Sequence, residues 1–240
     1  VIVAILWQVF AANAESLLVP TFTETLAASV GLLGDAATWR AIVATNVALA
    51  IGFGLSVAVG IPLGFSMGRS RIVGAALKPY VTIMLVAPMA ALIPLIVMAV
   101  GIGLAARVVL VMLFAVPMIV VNAQAGVRSA DPALIDMGRS FGASERQLWL
   151  RVLLPASIPA VMAGIRIGLG RAITAMIIAE MLILAVGLGG LLLRYRGAFR
   201  ADLLYATTLL VVIEALVLVG IARVVERRTA PWSEPREDLG

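Results

Sequence analysis

The chain has 240 residues, 62% of them hydrophobic and 13% charged, with a mean hydropathy of +1.12 and a formal net charge of +5. Uncharged stretches longer than a bilayer is thick exclude an ordinary soluble globule, and continuous Leu, Ala, Val and Ile blocks exclude the alternating polarity of a membrane β-barrel. The absence of cysteine and histidine removes thiolate and imidazole metal sites, disulfides and the commonest general base, and the scattered basic residues form no stripe for nucleic acid.

Residues 1–12 are apolar but too short to span. With no basic leader or small-residue cleavage site they are expected to be the end of a first helix and not a signal peptide. Residues 13–40, with Pro20, a Thr-rich stretch, Gly31 and Gly34, predict a loop with room for one short helix. Residues 41–67 carry no charge and close on Arg69 and Arg71. At about 1.5 Å per residue they cross a hydrocarbon core of roughly 30 Å as the second span. A third span covers 79–100, interrupted by Pro88 and Pro94, and a fourth covers 108–124, beyond the Gly101-Ile102-Gly103 turn and Arg107. After a polar block at 127–151 comes a fifth span over 158–184, ended by Gly187, Gly189 and Gly190. A basic loop leads to a sixth over 203–222, and the tail beyond Glu226 reads as extended and solvated. The expectation is one all-α transmembrane domain over 1–240, with about six spanning helices of which the first is truncated, and core helices within 41–228.

Positive charge is retained on the cytoplasmic side of short loops. Arg69, Arg71 and Lys78, then Arg128, Arg139, Arg146 and Arg151, then Arg223, Arg227 and Arg228 all fall on one side of such a bundle, which is assigned to the cytoplasm. Glu15, Glu24 and Asp35 fall outside. So do Arg194, Arg196 and Arg200, against the rule, and a loop lying flat on the lipid interface would tolerate them. In the second span Gly52, Ser56, Gly60, Gly64 and Gly68 line one face, where another helix can approach closely. An intramolecular seam is preferred there to a dimer contact, and Gly164 and Gly168 repeat the spacing in the fifth span. Pro62, Pro88, Pro94 and Pro117 inside apolar runs mark kinks.

The polar block holds a helix-turn-helix pattern at 131–152. Asp131 and Pro132 open a helix, Leu134, Ile135 and Met137 recur at helical spacing, Gly142 breaks it, and Ser144 with Gln147 fits a capping box. Two short helices with a glycine corner, amphipathic through Leu148, Trp149 and Val152, would present a compact knob to a partner.

Here the chain resembles the permeases of binding-protein-dependent ABC importers, whose cytoplasmic signature is Glu-Ala-Ala, three residues, Gly, nine residues, then an apolar run ending in Leu-Pro. Asp136-Met137-Gly138 stands at the Glu-Ala-Ala position, Gly142 follows at the right spacing, and Val152-Leu153-Leu154-Pro155 closes the motif. Gly138 in a helix interior weakens it by up to about 1 kcal/mol relative to Ala. Around it, GIPLGFSMGRSR at 60–71, AGVRSADPALIDMGRSFGAS at 125–144, PASIPAVMAGIRIGLG at 155–170 and IIAEMLILAVGLG at 177–189 look like the subgroup that imports sulfonates, taurine, nitrate or bicarbonate, related small anions and vitamin precursors. The resemblance runs over 19–228. It implies the type I importer fold in the bacterial cytoplasmic (inner) membrane and a second permease copy, as a homodimer. It also implies two cytoplasmic ATPase subunits and an extracytoplasmic substrate-binding protein. ATPase coupling would fall to Asp136, Gly138, Ser140, Phe141, Gly142, Ala143, Arg146 and Pro155. This chain would hold no cofactor, with ATP and Mg on the partner ATPases. Independently, Gly187-Leu188-Gly189-Gly190 is followed by Leu191 and not by the Lys and Ser or Thr of a phosphate-cradling loop.

Ionisable side chains within spans are costly and mark a cavity or a partner. Glu180 and Glu214 are the two acids, with Arg166 and Arg171 below Glu180. Glu180 reads as a hydrogen-bond or salt-bridge hub ahead of a substrate contact, and Glu214 either pairs with an Arg or lines the pathway. Arg166 and Arg171 would bias the cavity toward anions. An ion-coupled secondary transporter is the alternative, but it would show an internal repeat and leaves the knob unexplained. No paired acids equip the chain for enzymatic chemistry.

Overall fold

The structure is a computed structural model that describes residues 2–13 and 18–230; Glu15 and the tail beyond residue 230 lie outside the described residues. Hydrocarbon cannot satisfy backbone N–H and C=O groups, so a chain this apolar closes its hydrogen bonds within helices. No strand occurs among the described residues. The helices are α1 (Ile2–Asn13), α2 (Phe22–Leu33), α3 (Ala36–Arg69), α4 (Arg71–Val86), α5 (Met89–Val100), α6 (Leu104–Arg128), α7 (Pro132–Ser140), α8 (Glu145–Leu148), α9 (Leu154–Ala179), α10 (Gly187–Gly197) and α11 (Ala201–Thr229). Two π-helical turns, Trp149–Leu153 and Glu180–Leu184, adjoin the ends of α9.

Among the described residues four helices are long and apolar enough to cross a bilayer: Ala36–Arg69, Leu104–Arg128, Glu145–Leu182 and Ala201–Thr229. The pair α4 and α5 makes a fifth if it is one broken span, and α1 and α2 are shorter apolar helices. The apolar segments expected from the sequence are all present, but several boundaries move. The 13–40 loop holds α2, opened by a capping box between Thr21 and Glu24, and α3 begins at Ala36 because Asp35 accepts the Ala37 N–H at 2.9 Å. The third span breaks at Ala87. Pro88 bars its predecessor from helical backbone, and Ala87 sits at φ −57°, ψ 139°, whereas Pro94 stays inside α5. The fifth span does not start at 158, since α8 continues through a π-helical turn into α9. Gly187, Gly189 and Gly190 open α10 where a helix end was expected. The preceding turn stops at Ala185 (φ 42°) and Gly187 has φ 64°, a conformation glycine adopts without strain. Arg194 and Arg196 therefore occupy the last turn of a helix, where cations complement its dipole, and not a loop.

The chain forms two compact units. One comprises Val1–Gly52, Ala90–Leu110 and Ile173–Val217. Its core packs Leu32, Ala41, Leu188, Leu191, Tyr195 and Ala206, and a second cluster joins Ile93, Val97, Ala106, Leu110 and Ala179.

The other comprises Phe53–Met89, Val111–Ala172 and Leu218–Gly240. It centres on Met67, Val116 and Val120. Here the small-residue stripe is an intramolecular seam. A Cβ on Gly60 would lie 2.9 Å from Ile119, one on Gly64 2.5 Å from the Val120 carbonyl, and one on Gly68 2.7 Å from Val127. On α9, a Cβ on Gly164 would lie 2.5 Å from Asn122 and one on Gly168 3.1 Å from Ile119. Helix α6 is thus gripped by α3 and α9 through glycines, the packing that dispersion forces favour where lipid supplies no hydrophobic effect.

Candidate functional site

Two centres carry the polar chemistry, one in each unit. The first is the knob. The Asp131 carboxylate accepts the Ala133 N–H at 2.8 Å and starts α7 with Pro132 in its first turn. At the other end Gly142, with φ 76°, donates to the Arg139 carbonyl at 2.9 Å, and Ala143 donates to the Gly138 carbonyl at 3.0 Å. Ser144 then restarts the chain, with the Gln147 N–H on its hydroxyl and its own N–H on the Gln147 side chain. Asp136, Ser140, Phe141, Gly142 and Arg146 are exposed, and Ala143, Gly138 and Pro155 are half-buried. Leu134, Met137 and Phe141, the last 85% exposed, leave an apolar strip open on α7.

Gly138 has a structural reason. A Cβ there would lie 2.6 Å from Leu148, which is 3% exposed, so the glycine lets α7 close onto α8. Substituting Gly138→Val should push Leu148 off its seat and destabilise the knob by about 1–3 kcal/mol, the range for overpacking. Faster proteolysis of the 131–152 segment in membranes, with the spans intact, is the check.

The knob is also tied to α3. Trp149 meets Phe65 edge-to-face, with centroids 5.6 Å apart at 87°, and the Arg69 guanidinium lies 5.7 Å from the Trp149 ring. Glu145 takes Arg139 at 3.3 Å and Arg69 at 3.6 Å. Those ion pairs are solvent-exposed and worth about 0–1 kcal/mol each, so the aromatic contact, at about 0.5–1.5 kcal/mol beyond its burial, dominates.

The second centre is Glu180, 0% exposed, at the start of the π-helical turn after α9. The Thr45 hydroxyl of α3 donates to its carboxylate at 2.9 and 3.0 Å and accepts the Leu188 N–H at 3.0 Å. The Gly189 N–H donates to Oε2 at 3.1 Å, and Arg107 Nη1 lies 3.5 Å from Oε1 while donating to the Ala44 carbonyl at 2.8 Å. The Glu180 carboxyl therefore sits at the N-terminus of α10, taking the Gly189 N–H directly and the Leu188 N–H through the Thr45 hydroxyl. Arg107 Nε is buried without a partner.

Glu214 accepts a hydrogen bond from Asn46, and no Arg pairs with it among the described ion pairs. Arg166 pairs with Glu226 at 2.8 Å, both half-buried, and Arg171 is exposed on α9. Glu180 stands out in the sequence as an acid within a span, whereas Arg107, Thr45 and Asn46 do not. Arg107 reads as a loop charge, and the other two are neutral residues inside an uncharged run.

The fold and these two centres define a multi-pass helical permease component. The family described as "Binding-protein-dependent transport system inner membrane component" matches residues 60–231, and the chain belongs to it. It is similar to the taurine transport system permease protein TauC of Escherichia coli (strain K12), 32% identical over 209 residues, covering 87% of this chain and 75% of that one. It is also 32% identical over 197 residues to the glycine betaine/proline betaine transport system permease protein ProW of the same strain, covering 81% of this chain and 55% of that one. The MetNI methionine ABC transporter, solved in inward facing conformations, shares the fold with a TM-score of 0.64 at 24% identity, over 80% of this chain and 94% of that one. The chain is accordingly an inner-membrane permease subunit of an ABC importer that works with an ATPase and a binding protein.

Proposed function

We propose that two copies of this chain form the translocation pathway for a small anion of the sulfonate, taurine, nitrate or bicarbonate type, or a vitamin precursor. Two cytoplasmic ATPase subunits, holding ATP and Mg, grip the knob, and an extracytoplasmic binding protein delivers the solute. The chain itself hydrolyses nothing. Nucleotide-driven closure of the ATPases draws the knobs together and biases the helices between inward-open and outward-open states.

The observation that carries the ATPase contact is the knob's geometry. Asp136, Ser140, Phe141, Gly142 and Arg146 are exposed on two short, capped helices and the corner between them, beside the open apolar strip of α7. Gly138, Ala143 and Pro155 shape it. The taurine relative supports a small solute that bears a sulfonate group. Arg171 supplies positive bias along α9, while Glu226 offsets Arg166. If uptake of labelled taurine and nitrate were unchanged when both arginines are neutralised and protein levels hold, that electrostatic role would be wrong. Glu180 and Glu214 take part as fixed polar anchors of the pathway helices.

The test uses the glycine corner. Nothing in this chain lies within 4 Å of a Cβ on Gly142, so within the chain a substitution there acts through backbone conformation alone. A left-handed conformation costs an L residue about 1–2 kcal/mol, most for β-branched side chains and least for Asn. Gly142→Val should reduce co-purification of the ATPase about tenfold, and Gly142→Asn far less. Undiminished ATPase binding by Gly142→Val would move the contact away from the knob.

A further inference from the structure

The knob has two covalent exits, through α7 toward α6 and through the π-helical turn into α9. The second exit is soft. Leu154 donates to the Trp149 carbonyl across the widened turn, and Pro155, directly after it, has no N–H to give. The knob's side-chain attachment to α3 lies just at this exit. Trp149 is the first residue of the turn and stacks edge-on against Phe65, while Arg69, one helical turn further along α3, reaches both the Trp149 ring and Glu145. Gly68, next to Arg69, is pressed onto Val127 of α6, so this end of α3 is seated. The same continuous helix carries Thr45, which bonds Glu180, and Asn46, which bonds Glu214.

We propose that Phe65 and Arg69, clasping Trp149 and Glu145, are positioning residues that make α3 follow the knob when the ATPase moves it. Displacement then enters the helix that holds Thr45 and Asn46 as well as α9. Phe65 contributes more than Arg69, because Arg69 and Glu145 are 52% and 62% exposed and their attraction is screened. This rests on the reading of the knob as the ATPase contact. A structural role alone would lower assembly and ATP turnover along with movement, whereas the clasp separates them.

The chain has no cysteine, so a single Val43→Cys, on an exposed position of α3, takes a fluorescent label cleanly. The complex with its ATPase is placed in nanodiscs, and ATP-driven change at the label is recorded beside ATP hydrolysis and bound ATPase. The Phe65→Ala variant should lose at least about fivefold of the ATP-driven signal, with ATP hydrolysis and ATPase content at the wild-type level, and Phe65→Trp should keep the signal. Arg69→Gln should show a smaller loss and serves if Phe65→Ala does not accumulate. A full signal in both Phe65→Ala and Arg69→Gln overturns the clasp, as does a loss of signal matched by an equal loss of hydrolysis. A wild-type complex that binds no ATPase removes the knob reading itself, and the clasp with it.

Discussion

Replacing Glu180 by alanine should destabilise the protein by about 3–5 kcal/mol, the range for breaking one side of a buried ion pair. The substitution strands Arg107 with a buried charge whose Nε already lacks a partner, and removes the acceptor of the Gly189 N–H and the Thr45 hydroxyl. Glu180→Gln keeps the shape and one acceptor oxygen and should lose roughly half as much. Thr45→Val leaves the Leu188 N–H without an acceptor and should cost about 1–3 kcal/mol. Unfolding midpoints of the purified protein in one detergent rank the three. Equal stability of Glu180→Ala and wild type would mean that the carboxylate does not organise the α9–α10 corner.

The second large effect belongs to the glycine seam. At Gly64 a Cβ would lie 2.5 Å from the Val120 carbonyl and 2.6 Å from Ala123 Cβ, and both are backbone or backbone-anchored atoms that cannot swing aside. Gly64→Leu must therefore separate α3 from α6, and should exceed the about 1–3 kcal/mol of ordinary overpacking, enough to stop the protein accumulating in membranes. Gly54, on the same helix, has nothing within 4 Å of its Cβ, so Gly54→Ala should be neutral or gain up to about 1 kcal/mol of helix propensity. Membrane levels of the two variants, read side by side, check the seam. Comparable accumulation of Gly64→Leu and wild type would show that the helices are not in contact there.

What the sequence shows and what it hides separate along a physical line. Caps, turns and periodicity act between neighbours, which is why the knob could be read from Asp131, Gly142 and the Ser144 capping box, and why the structure repeats it nearly residue by residue. Spans are legible because lipid demands an apolar run. Their starts are less so, since α3 is fixed by the Asp35 cap and not by the end of the charged stretch. Prolines show the same limit. Pro62, Pro94 and Pro117 sit inside continuous helices while Pro88 ends one, and that choice depends on neighbours the sequence does not name. The partners of Glu180 were out of reach because Thr45 lies 135 residues away. Arg166 and Arg171, about four and about two and a half turns before it on the same helix, are the basic residues the sequence places below Glu180, but Arg166 belongs to Glu226. Gly138 looked like a weakness of α7 until Leu148 showed what occupies the space.

The central claim, that ATP binding by a partner moves solute through this chain by way of the knob, is tested most directly by transport. Proteoliposomes are prepared with the permease and its ATPase, ATP is enclosed on the ATPase side, and binding protein loaded with labelled taurine is added opposite. Uptake should require ATP, survive collapse of ion gradients and fall about tenfold with Gly142→Val. Uptake that follows an imposed ion gradient with no ATP and no ATPase present would contradict it.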